Sequence, residues 1–498
     1  MTDATTESPR PLTPVEIADR LVPERPAISP DGANVAFAVA PAGKKGEYAE
    51  RAIWLSRNGG KAEPFTGGIA DDNSPVWSPD GQRLLFISDR AKRGESKLYL
   101  ISLNGGEAKA LSDLEGNLSG ATWSPDGKLI AVMRVDPETP AEKKKKEERH
   151  DPIVVEEQSK FCRIWVVEVE TGKARQLTHG KRHVLTYQWS PEGDHIAFVA
   201  TSAPEIDLGD LPTPIAVVPV TGGLPKTVAT LSLAAGAVAF VTTPDAPAIA
   251  AQASDHRADP ALSIWLAPLC GKGAPRNLLP GFEASIEWMG PVSGDTTSLY
   301  VRAVEGTHAN VYKVDMATGE RTKLTPKGMH NEGSVVAGPS FSDDGKKLAL
   351  IWSDGDKMQE VYLGKPGGKA DAVTELGKSF DGRLCPVEVV TWQSDGHEIE
   401  GLLTYPAGYE EGKRYPLVVE IHGGPSWQWE DYAFVDWHDW AQMLATNGFA
   451  VLAPNPRGST GRGAAFAALL QNDVGGGGSR DPVHGGPAVG GRGGARPH

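Results

Sequence analysis

The fold is read from Ser78-Pro79-Asp80-Gly81-Gln82-Arg83-Leu84-Leu85-Phe86-Ile87. Pro presets φ and Gly accepts a positive φ, so Pro-Asp-Gly makes a tight turn. The apolar run after it is too short for a helix and reads as a buried strand. The same turn recurs at Ser29-Pro-Asp-Gly32, Ser124-Pro-Asp-Gly127, Ser190-Pro-Glu-Gly193 and Ser342-Asp-Asp-Gly345, with degenerate copies near Thr243-Pro-Asp and Ser293-Gly-Asp. A second motif, an aromatic among apolar residues followed by a Gly-containing turn, runs in phase with it. It stands around Trp54, Tyr99, Trp165, Trp265, Tyr312 and Tyr362, with Ile215–Val218 as a copy lacking the aromatic. Both motifs count seven units, mostly 45 to 53 residues apart. A period in the forties with about four short strands per unit predicts a seven-bladed β-propeller, and the aromatic stripe is assigned to blade packing. Such an architecture fixes no chemistry.

One spacing departs from the period: Ser124 to Ser190 is 66 residues. The excess, Pro137 to Lys160, contains Lys143–Lys146 and reads as a solvated insertion with a short exposed helix. Glu156 and Glu157 within it are candidates for reaching into the propeller mouth, where a carboxylate suits a peptide's amino terminus. Ahead of the first blade, Thr13 as N-cap and Pro14 at the first helical position predict one short helix.

Composition bounds the partners. Fifty Lys and Arg against 64 Asp and Glu give a net charge of -14, which disfavours nucleic acid and anionic membranes. Three scattered cysteines (Cys162, Cys270, Cys385) imply no disulfide framework. The N-terminus has no signal-peptide pattern, and no apolar run reaches the ~18 residues of a membrane helix. The expectation is a soluble, cytoplasmic protein.

From about Leu384 the period changes. Val387–Trp392 and Ile399–Tyr405 flank Asp395-Gly396 and read as a hairpin. Tyr415-Pro-Leu-Val-Val-Glu-Ile-His-Gly-Gly-Pro425 follows. Its run Leu417–Ile421 predicts a buried strand of a parallel sheet. The glycines after it let backbone N–H groups approach a ligand, as an oxyanion hole requires. Phe434–Asn447 has helical spacing, with Trp437 and Trp440 assigned to the core, and Phe449–Ala453 reads as the next buried strand. Strand, helix and strand make a βαβ unit.

Together, seven propeller units, Ser394-Asp-Gly, Tyr415-Pro-Leu, His422-Gly-Gly-Pro425, Asn455-Pro-Arg-Gly-Ser-Thr-Gly461 and Asn472-Asp-Val-Gly475 resemble the prolyl oligopeptidase family, in its acylaminoacyl-peptidase or dipeptidyl-peptidase branch. The resemblance covers roughly residues 12 to 475. It implies a serine peptidase acting on short peptides, with the propeller gating an α/β-hydrolase domain, and it makes His422, Gly423 and Gly424 oxyanion or substrate-binding candidates. It implies no cofactor and no metal.

One departure bears on activity. An α/β-hydrolase nucleophile sits in Gly-x-Ser-x-Gly, followed by the acid and the histidine, and no such pentapeptide occurs here. Ser479, Asp481 and His484 stand in the right order, but five residues of glycine-rich chain cannot supply three rigid elements. No catalytic residue is assigned, and His484 and His498 are given no role. Residues 475–498 hold ten glycines and are expected to be disordered. The expected division is an N-terminal extension (1–22), the propeller (23–383), a partial hydrolase domain (384–474) and the tail (475–498), with the C-terminus truncated by a frameshift or gene-model error. Two functional expectations follow: a serine peptidase inactive as this chain, or a propeller-based binding module with a vestigial hydrolase segment. A second copy and a complementing hydrolase fragment are the candidate macromolecular partners.

Overall fold

The computed structural model describes residues 10–149, 159–204, 213–231, 236–254, 261–329, 338–424, 427–433, 440–471, 473 and 475–493. Among these the chain forms seven successive four-stranded antiparallel sheets, from Leu21–Ile28 in the first to Ala370–Ala372 in the seventh. The Ser-Pro-Asp-Gly turns join the first and second strands of their sheets, for a physical reason. In each full copy the Ser hydroxyl accepts the backbone N–H five residues on, as from Asn34 to Ser29 (2.9 Å), Arg83 to Ser78 (3.0 Å) and Leu129 to Ser124 (2.9 Å). The glycine sits at positive φ, 72° at Gly32 and 69° at Gly81, where a side chain would be strained.

The stripe aromatics pack as expected. Trp54, Tyr99, Trp165, Trp265 and Tyr312 belong to or line the apolar clusters that bind one sheet to another, and Tyr362 lines a cluster within the seventh sheet. One of these clusters joins the seventh sheet to the first, bringing Phe37 and Val39 against Ile351 and Val361. Ile28 N–H donates to Ser340 Oγ (3.0 Å) and Ala62 N–H to Val373 O (2.7 Å) across the same seam. The ring is thus closed by side-chain burial, about 1.5–3 kcal/mol for each fully buried Phe, Ile or Val. The predicted helices form too. Pro14–Asp19 carries a Thr13–Glu16 capping box, and Pro140–Glu147 in the insertion has no buried residue.

An eighth sheet follows, ordered Val387–Ser394, His397–Thr404, Ala450–Asn455, Leu417–Val419. The first two strands form the expected hairpin around Asp395 (φ 48°) and Gly396 (φ 82°), the left-handed pair of a tight hairpin turn. Leu417–Val419 runs parallel to Ala450–Asn455, with the Ala441–Thr446 helix between them in the chain. A seven-bladed propeller therefore leads into an α/β-hydrolase-type sheet.

Three expectations are corrected. Leu417–Val419 is an edge strand, and beside it Val419 is 37% and Ile421 59% exposed, because no strand among the described residues pairs on its far side. Trp440 is 52% exposed, not core, and caps the start of the Ala441–Thr446 helix; Trp437 lies outside the described residues. The glycine-rich tract is not disordered where it is described: Gly477–Gly493 is a helix lying on the sheet. A Cβ on Gly485 would stand 2.9 Å from both Leu452 Cδ2 and the Trp392 ring, so the lack of side chains is what permits this close approach. Among the described residues no helix is long and apolar enough to cross a membrane.

Candidate functional site

The two parallel strands end side by side, and the loops leaving them form the candidate site. Loops at the carboxyl ends of parallel strands are where open α/β sheets bind ligands. The first loop begins His422-Gly423-Gly424. His422 is buried, with Nε2 3.0 Å from Ser459 Oγ of the second loop and Nδ1 2.9 Å from Gly423 O. Burial lowers its pKa, so the ring is neutral and has one N–H for these two partners. Trp427 and Trp429 meet it edge-on, 5.8 and 6.2 Å between centroids. With both nitrogens occupied, His422 braces one loop against the other. Gly423 is exposed, and a Cβ there would meet nothing within 4 Å, so the space beside its backbone is open. Gly424 has φ 132°, a conformation that needs glycine.

The second loop, Asn455 to Gly461, fixes the first through nearly every side chain. Asn455 accepts the Trp429 N–H (2.7 Å) and donates to the Trp429 carbonyl (2.9 Å). The Thr460 hydroxyl donates to Gln428 Oε1, and Thr460 N–H donates to Trp427 O (3.1 Å). Arg457 turns the other way, to the buried Asp481 of the C-terminal helix (Nη2 to Oδ1 2.6 Å, backbone N–H to Oδ2 2.8 Å). Burial pushes the Asp481 carboxyl up, but hydrogen bonds from Arg457 and Ser394 outweigh it and hold the carboxyl below its ordinary range.

Ser479, Asp481 and His484 do not come together. The Ser479 hydroxyl donates back to the Gly475 and Gly476 carbonyls (2.8 Å each). A different serine meets the other two: Ser394 Oγ donates to Asp481 Oδ1 (2.6 Å) and lies 2.9 Å from His484 Nδ1. In a catalytic triad the histidine stands between serine and acid. Here the serine stands between, only 1% exposed, with its proton on the acid. The grouping anchors the helix to the hairpin turn, and this gives His484 a structural contact where none was expected. His498, Glu156 and Glu157 lie outside the described residues.

The sequence reading missed a buried polar cluster where the propeller meets this loop. Arg302, on the Asp295–Glu305 strand, donates to Glu287 Oε2 (2.6 Å) of the neighbouring propeller strand and to Glu430 Oε2 (2.5 Å) of the loop. The Gln428 amide donates to both carboxylates, at 2.8 and 3.1 Å. Nothing local announces a contact between residues 128 apart; only the run Gln428-Trp-Glu430 hints that polar side chains are kept beside tryptophans. Backbone bonds cross the same junction, Gly306 N–H to Gly461 O (2.6 Å) and Asp431 N–H to Thr307 O (2.8 Å).

The model of the TolB β-propeller domain matches residues 20–151, and that of the prolyl oligopeptidase family matches residues 436–492. A dipeptidyl-peptidase 5 of Arthroderma otae is 29% identical over 312 residues, 58% of this chain and 41% of the relative. The uncharacterized peptidase YuxL of Bacillus subtilis is 26% identical over 91% of this chain and 71% of its own length. The solved Pyrococcus horikoshii acylaminoacyl peptidase superposes with a TM-score of 0.73 at 17% identity, covering 95% of this chain and 71% of that one. At that identity the likeness speaks for the fold. Propeller and hydrolase-type sheet share the fold of that peptidase. The C-terminal part of the chain matches the prolyl oligopeptidase family model, and the chain is similar to peptidases along most of its length. It spans about two fifths of the length of the fungal relative.

Proposed function

We propose that the chain carries the peptide-binding half of a prolyl oligopeptidase-type site and, as this 498-residue polypeptide, binds short peptides without hydrolysing them. The observation that carries the reading is the open space beside Gly423, just past the end of a parallel strand. Gly423 and Gly424 would offer backbone N–H groups to a peptide carbonyl, with His422 as the brace that sets their position. Glu156 and Glu157 would meet the peptide's amino terminus, a reading in keeping with the dipeptidyl-peptidase name of the fungal relatives. Absence of turnover rests on the missing Gly-x-Ser-x-Gly and on the serines near the loop: Ser394 and Ser459 are buried with their hydroxyls already bonded. Half an oxyanion hole without a nucleophile has no acyl-transfer route.

The division near residue 383, a cytoplasmic location, and pairing with a second copy or a complementing hydrolase fragment belong to the same proposal. A pure binding module is the second reading, favoured by the same committed serines. The test combines calorimetric titration with tri- to pentapeptides and a hydrolysis assay on dipeptidyl and N-acyl-aminoacyl nitroanilides. Binding that Gly423→Val abolishes, with no hydrolysis above background, is the expected result. Hydrolysis stoichiometric with protein, or a Gly423→Val variant that binds as well as the parent, would overturn it.

A further inference from the structure

The junction between propeller and hydrolase sheet encloses one cation and two carboxylates. Arg302 is 2% exposed and heads the fully buried side chains of the described residues by size. Glu430 is also 2% exposed, and Gln428 is fully buried. Glu287 is supplied by the Ser285–Val292 strand of the propeller and Glu430 by the loop that follows His422-Gly423-Gly424. With both carboxylates ionised the cluster has a net charge of one negative unit, with Arg302 and Glu430 buried and the Glu287 side chain 22% exposed at its edge. With one proton on the pair it is neutral. Burying an uncompensated charge is strongly unfavourable, and two carboxylates that share a partner take up protons as a unit.

We propose that Arg302, Glu287 and Glu430 form a proton-operated latch: a proton on the buried Glu430 closes the junction between propeller and hydrolase sheet, and its loss loosens it. Burial is the main cause that pushes the Glu430 carboxyl up, to about 7; the charge of Glu287 adds to it and that of Arg302 opposes it. The sign follows from linkage. A carboxyl whose pKa is raised in the closed state gives its full contribution below the ordinary carboxylate range and loses it as pH rises through the raised value. The latch is therefore shut in mild acid, slackens as pH rises toward neutrality, and is fully slack above it. The segment it releases, residues 427–433, is the continuation of the Gly-Gly loop, so opening widens the cleft where a peptide would enter.

The other charged groups at this junction are Glu400 and His308, both bonded to the Thr307 hydroxyl (2.9 and 3.2 Å), and Asp431. They remain in every variant below. The experiment is hydrogen–deuterium exchange of the full chain between pH 5.5 and 8.5, corrected for intrinsic exchange. Peptides holding Gly306 and Asp431, whose amides cross the junction, are read against Val35–Pro41 in the propeller core. Protection at the junction should fall by up to tenfold per pH unit as pH rises toward the raised Glu430 value of about 7, as release of one proton requires, and level off above it, while the reference strand does not change. Glu430→Gln keeps an acceptor for Arg302 but holds no proton, so its junction should stay protected at every pH. Glu287→Gln should flatten the profile too, because Glu430 then faces Arg302 without a second negative charge beside it and can stay ionised. A flat profile in the parent chain would overturn the latch. So would an undiminished slope in both variants, which would assign the proton to His308 or Glu400.

Discussion

Asn455, Arg457, Ser459 and Thr460 each hold a different partner, and this explains why the second loop needs those side chains in that order. Asn455 clamps Trp429, Ser459 meets His422, Thr460 holds Gln428, and Arg457 reaches back to Asp481. Arg457 carries the largest consequence, since Asp481 is completely buried and also accepts from Ser394. Arg457→Met leaves that carboxylate without its counter-charge and should cost about 3–5 kcal/mol, the usual range for breaking a buried pair; urea denaturation followed at Trp392 measures it. Trp392 is a suitable reporter because its indole N–H donates to Asp481 O (2.9 Å). The pH dependence has a definite sign. The Asp481 pKa is lowered in the fold, so its contribution is present above the ordinary Asp value and disappears as pH falls through the lower, folded one. An acid titration should release the C-terminal helix below about pH 4, and Asp481→Asn should remove that transition. Motif recognition found these residues, but their partners lie on other strands and no local pattern names them.

The Leu417–Val419 strand has one paired side and one open side. Its pairing with Ala450–Asn455 uses alternate residues: Glu420 N–H donates to Leu452 O (2.9 Å) and Pro416 O accepts from Ala450 N–H (2.9 Å). The amides of Leu417, Val419 and Ile421 point to the open side, so residue-resolved exchange should find Val418 and Glu420 protected and Val419 and Ile421 fast. Equal protection along the strand would mean that something covers the edge in solution. An open edge flanked by exposed Val419, Ile421 and Trp440 is also an association hazard. Val419→Lys with Ile421→Lys should suppress self-association, seen as a lower average mass by light scattering, with little change in thermal midpoint. The sequence conveyed the strand and its direction, because a β-branched run ending in glycines is a local signal. It did not convey the burial, which depends on a neighbour. The helix over Gly477–Gly493 was illegible for the opposite reason: glycine and proline disfavour a helix locally, and only docking through Asp481, Gly485 and Val489 supplies what propensity lacks.

The ring and the sheet were the most legible features, because each propeller turn is specified within six residues and repeated often enough to be counted. Their junction was the least legible, since Arg302, Glu430, Gly306 and Gly461 meet only after the whole chain has folded. That junction joins the propeller to the loop carrying His422, Gly423 and Gly424, so the candidate site is a property of the complete architecture. The central proposal is that this architecture has the framework of a prolyl oligopeptidase-type peptidase without its nucleophile. Its most direct test is treatment of the folded 52.9 kDa chain with a fluorophosphonate serine-hydrolase probe, read by intact mass. The account predicts unmodified protein under conditions that fully label an active serine peptidase. A single stoichiometric adduct, mapped by peptide digestion to one serine, would contradict it and identify the nucleophile.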